Sequence, residues 1–141
     1  ADYLMIMSEM VHDVRVIRLG EPNPLRTEVQ PWFGDSWGRW EGDVLVVETT
    51  NLNPRHPFRG IVPTEHTKIT ERFSRVDEDS ILYEFTIEDP TTYTQPWGGE
   101  IPFERFDDLL YEYSCHEGNY ALTNILSGAR YQETQSQAER Q

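Results

Sequence analysis

Cysteine is almost absent from this chain: among 141 residues there is one, Cys115. It cannot form a disulfide within the chain, so the thiol is either free or one half of a bridge whose partner lies outside these residues. Positive charge is also scarce. Twelve Lys and Arg stand against 25 Asp and Glu, for a formal net charge of −13. Nucleic acids and anionic membrane surfaces are held by clustered Lys and Arg, so neither is expected as a partner. No apolar run approaches the length that inserts into a bilayer. The opening ADYLMIMSEM has no basic flank before its apolar part and does not read as a signal peptide. It reads as a strand entered part-way through a longer protein. Heptads, internal repeats, a CxxC pair and a phosphate-binding glycine loop are all missing.

What is present is β-forming. The apolar fraction of 37 % and aromatic fraction of 12 % suffice for one modest core. The stretch GDSWGRWEGDVLVVETTNL, residues 34–52, organises the rest. Trp37-Gly38-Arg39-Trp40 and 44–50 read as two strands joined by the turn Glu41-Gly42-Asp43. In the second strand both faces are apolar through most of its length, which places it centrally. Trp37 and Trp40 then point to opposite faces. They serve either as core and surface lid or as an aromatic wall for a ligand.

Further strands are expected at 3–9, 12–19, 66–76, 81–88, 96–106 and 109–115. Gly98-Gly99 suggests a bulge in the strand over 96–106. Residues 20–31 and 51–65 are proline-bearing loops, and a structureless loop as long as the second is often a lid, binding loop or assembly contact. Residues 119–131 read as one short helix broken near Gly128, and 132–141 as a polar tail. The expected fold is an all-β antiparallel meander joined mostly by hairpins, closed into a barrel or strongly curved sheet, because no long helix is available to cover it. Residues 1–131 form the one domain.

Candidate chemistry is thin. Glu71 shares a strand face with Ile69 and Phe73. It is paired with an Arg across the sheet, or lines a wet cavity, or reaches solvent at a strand end. Ser114-Cys115-His116-Glu117-Gly118-Asn119 is the densest cluster of metal-ligand and acid–base types. Neighbours on a strand face opposite ways, so a metal would need help from His12. The alternative is a strand-to-helix turn, with Asn119 capping the helix. The acids Asp77-Glu78-Asp79 are consecutive rather than alternating, as a hairpin tip rather than a calcium loop would have them.

Three segments together, GDSWGRWEGDVLVVETTNL, ITERFSRVDEDSILYEFTIEDPTTYTQPW and YEYSCHEGNYALTNILSGAR, resemble a widespread family of uncharacterised bacterial proteins predicted to be exported. The likeness runs from Tyr3 to about Arg130. It implies a secreted or periplasmic setting. It also implies that the chain is the C-terminal part of a longer protein whose N-terminal region often carries a Cys, which would make Cys115 half of a disulfide. It carries over no activity residue by residue and leaves any cofactor unknown. The WxGDxLxV hairpin and meander also resemble calycin-like barrels, a likeness of fold alone.

With the exported setting that the resemblance implies, these residues point first to a binding module holding a small, partly apolar ligand on the concave side of the sheet. Trp37, Trp40, Tyr83, Phe85 and Trp97 would supply walls, and Glu71 or His12 the polar anchor. The alternative is a structural protein that pairs with other chains, including copies of itself, through open strand edges. A third is a metal-assisted enzyme using His12, His116 and Glu117, perhaps with Glu71.

Overall fold

The computed structural model of the chain describes residues 2–26, 28–57, 61–114 and 116–138. Seven strands form one sheet in sequence order: β1 (Tyr3–Met7), β2 (Val14–Leu19), β3 (Asp35–Glu41), β4 (Val44–Thr50), β5 (Lys68–Arg75), β6 (Ser80–Glu88) and β7 (Trp97–Glu104). The sheet is mostly antiparallel and curls into a half-barrel, as the lack of a covering helix demands. One helix, α1 (Ala121–Ala138), comes after it. Among the described residues no helix is long and apolar enough to cross a membrane.

β4 lies fourth of seven and buries Leu45, Val46, Val47 and Thr49, residues from both of its faces. On the concave side Ile17, Leu45 and Val47 form the core, with Leu4, Ile6, Leu19 and Phe73 packed against them. On the convex side Val46 pairs across strands with Arg39 and Arg72. Arg39 bridges to Glu41 and Glu48, Lys68 to Glu48, and Arg72 to Glu41. The aliphatic stems of these side chains cover Val46 while their charges stay in water. Hydrogen bonds from Lys68 and Arg39 hold the Glu48 carboxyl below its usual range, and those from Arg72 and Arg39 do the same for Glu41.

Several expectations are corrected. β2 and β3 pair in parallel, through Arg18 with Trp37 and Leu19 with Gly38, because the link over residues 20–34 is long enough to return the chain to the start of its neighbour. His12 does not open β2 but ends a 3-10 turn, Met10–His12, in which Val11 and His12 both have positive φ. No bulge occurs at Gly98-Gly99, since the β6–β7 register runs unbroken from Ile87 with Trp97 to Ser80 with Glu104. Gly98 is there because a Cβ would run into the Phe85 carbonyl oxygen. Residues 109–114 form no strand: Leu109 and Tyr111 alternate as a strand would, yet both stand exposed, and alternation alone provides no partner edge. The expectation for Cys115 lies outside the described residues. α1 passes through Gly128 to Ala138 instead of breaking, since a single glycine costs only about 1 kcal/mol in a helix. The Asn119 side chain does accept the Ala121 N–H, at 3.1 Å. No described residue of α1 is buried.

One polar cluster sits inside the curl. Glu71 is 4 % exposed. It receives two N–H groups of Arg15, at 2.7 and 3.0 Å, and the Tyr83 hydroxyl at 2.9 Å. Arg15 reaches it from β2, three strands away in the sheet, across the concave face. Of the three readings open to Glu71, the Arg pair is the one realised. Burial and the adjacent Glu71 charge raise the Tyr83 phenol well above its ordinary value, so it remains a donor. Breaking a buried pair strands the partner charge, whereas replacing both members by packed apolar groups is near neutral. Arg15→Leu should therefore cost about 3–5 kcal/mol in urea unfolding. Arg15→Leu combined with Glu71→Leu should recover most of that loss in the same measurement.

Candidate functional site

Cross-strand register sets the floor of a cavity. Thr49, Ile69, Ile87 and Trp97 are successive partners on β4, β5, β6 and β7, and all four face the concave side. Above them lie Leu52, His56, Ile61, Val62 and Pro63 from the second proline-bearing loop. Phe33, Tyr93 and Arg15 close the sides. The space is half-open, largely apolar and about 260 Å³.

Two loops are laced together to make this roof. The Asn51 amide donates to the Val29 carbonyl at 2.7 Å, and the Asn53 amide to the Gln30 carbonyl at 3.2 Å. His56 stacks on Trp32, with centroids 4.6 Å apart, and meets Phe33 edge-on at 5.2 Å. Its Nδ1 lies 3.2 Å from the Trp32 carbonyl oxygen. That oxygen only accepts, so Nδ1 carries the hydrogen. At the other end of the first loop, Arg18 stacks over Trp37 at 3.9 Å and pairs with buried Asp35, which also accepts the Leu25 N–H at 2.8 Å.

Asp89 clamps the far end of the second loop. One carboxylate oxygen accepts the Thr64 and Thr67 hydroxyls, at 2.7 and 2.6 Å. The other accepts the Thr91 hydroxyl at 2.6 Å and the Thr91 and Thr92 N–H groups at 3.0 and 3.2 Å. These donors hold its carboxyl well below the usual carboxylate range, Thr67 and Thr91 contributing most. With five donors in place the group is a fastener, not a base with a free lone pair.

The residues singled out from the sequence divide clearly. Trp97 lines the cavity. Phe85 meets Trp97 edge-on at 5.9 Å, and Tyr83 stacks on Phe85 at 5.9 Å, one and two rows further along the same face. Glu71 lies in the Phe85 row, bound to Arg15. Trp37 faces the opposite side, and its Nε1–H is buried with no partner among the described residues. Trp40 shares the concave parity but stands exposed at the other end of β3. Both Trp residues border a separate, wider groove with Pro22, Pro24 and the charged Arg39 and Glu48. His12, His116 and Glu117 are exposed and away from the cavity lining. Among the described residues no three His, Cys, Asp or Glu gather to hold a metal ion.

Arg15, Phe33, His56 and the Asp89 clamp were missed. Only Asp89-Pro90-Thr91 carried a local signal, since an Asp near hydroxyl residues at a strand end closes an Asx turn. Because the folded carboxyl of Asp89 is depressed, the unfolded chain takes up its proton first as pH falls. The clamp's stabilisation is therefore complete above about pH 4, the unfolded value, and lost progressively below it. Acid titration of unfolding should show a shallower fall below that pH for Asp89→Asn, which should already be less stable than the parent at neutral pH.

Comparisons of the chain with family models, curated proteins and solved structures find no match.

Proposed function

We propose that this chain is an exported binding module that holds a small, partly apolar ligand between the concave face of its sheet and its two proline-bearing loops. The supporting observation is the cavity of about 260 Å³, with an apolar floor built across four strands and a laced aromatic roof. Such a site, mostly apolar with a few placed polar groups, is the usual form of a small-molecule pocket, though this one is at the small end. The exported setting rests on the family resemblance.

Trp97 on the floor and Trp32 behind His56 make occupancy readable by fluorescence. A small aromatic probe such as 2-naphthol should bind with a Kd below about 1 mM, or roughly −4 kcal/mol, read by calorimetry and by Trp quenching. Leu52→Trp, which fills the space, should weaken binding at least about tenfold, or roughly 1.4 kcal/mol. Trp40→Ala, outside the lining, should leave it unchanged. Binding insensitive to Leu52→Trp would remove the cavity from consideration.

A second reading, assembly with further copies, has its own observation. The convex face of β1 and β2 exposes Tyr3, Met5, Met7, Val14 and Val16 as a contiguous apolar patch beside an open edge strand. Patches of this kind mark interaction surfaces. Sedimentation equilibrium should then show self-association that Met5→Lys abolishes; a monomer at high concentration would end this reading.

A further inference from the structure

Charge balance at the cavity identifies the class of ligand. We infer that the site takes an uncharged molecule of one or two fused rings, with a hydrogen-bond acceptor for Arg15 and a donor for His56. The inference rests on the binding reading above and deepens it.

Among the described residues two charged side chains line the cavity, Arg15 and Asp89. Both are already answered. Arg15 is paired through two parallel hydrogen bonds to Glu71, and Asp89 is saturated by Thr64, Thr67, Thr91 and Thr92. An ion entering this apolar space would give up its hydration and find no unpaired counter-charge among the described residues, which is costly. A neutral molecule meets no such penalty.

Hydrogen-bonding capacity nonetheless remains. A guanidinium carries five N–H donors, and Glu71 takes one from each terminal nitrogen of Arg15, leaving others for an acceptor on the ligand. The hydrogen on His56 Nδ1 is committed to the Trp32 carbonyl. In its neutral form the ring then offers Nε2 as an acceptor, with no partner for it among the described residues. Size adds a third limit. A cavity of ~150 Å³ holds benzene, so about 260 Å³ fits one ring with substituents or two fused rings.

The test compares three probes of one shape by calorimetry on the full chain at pH 7: 2-naphthol, 2-naphthoate and 2-(aminomethyl)naphthalene. The naphthol should bind at least about tenfold tighter than either ion. Glu71→Gln keeps the shape and an acceptor oxygen for Arg15 and Tyr83 but removes the counter-charge. It should shift the naphthoate-to-naphthol affinity ratio at least about tenfold toward naphthoate. Equal affinities, a preference for either ion in the parent chain, or an unchanged ratio in a folded Glu71→Gln would overturn the inference while leaving the binding reading intact. If Glu71→Gln does not fold, the parent comparison decides alone. Failure of all three probes to bind would overturn the binding reading and the inference with it.

Discussion

The contact between Arg15 and Glu71 is the constraint on which the rest of the structure depends. A carboxylate on the apolar side of a strand is tolerable only if something satisfies it, and here an Arg and a Tyr do so at 2.7–3.0 Å. Arg15 stands on β2 and Glu71 on β5, so the bond can close only if the sheet curls. Curvature and the placement of β2 beside the cavity are both tied to one ion pair. Both Glu71 oxygens are engaged in that contact, and it is Arg15 that faces the cavity.

The two faces of the sheet solve the burial problem differently. On the concave face Ile17, Leu45 and Val47 pack against other apolar side chains. On the convex face Val46 is sealed by the stems of salt-bridged side chains. Surface ion pairs of this kind contribute little energy singly, and their worth here is the apolar area they cover. Beyond β7 neither solution operates, and the described residues 105–114 and 116–138 are all exposed. The apolar side chains Phe106, Leu109, Leu122 and Ile125 there contribute nothing to the sheet's core.

The site is a product of loops held by polar fasteners over a regular floor. Proline keeps the described residues 51–57 and 61–65 from continuing a strand or helix, but does not say where they go. Asn51, Asn53 and His56 tie one end to the neighbouring loop, and the Asp89 carboxylate ties the other. Between those fastenings Ile61, Val62 and Pro63 lie over the row from Thr49 to Trp97, and the cavity is the space left between them.

Much of the sheet was legible because its cause is local. Alternation of apolar and polar residues and the turns at Gly42 and Asp77–Ser80 mark β3 to β6, and the two-faced apolar run of Val44–Thr50 marks a central strand. Trp97 could be placed on the same face as Ile101 and Phe103 for the same reason, since parity alone puts it there. The parallel joint of β2 with β3, the partner of Glu71 and the aromatic roof could not be read in this way. Each depends on residues far apart in sequence meeting: Arg15 with Glu71, Trp32 with His56, Thr64 with Asp89. Period-two patterning says which way a side chain points, and that much belongs to the sequence alone. Which side chain it meets there depends on the curl of the sheet and the fastening of its loops, and only the tertiary structure decides that.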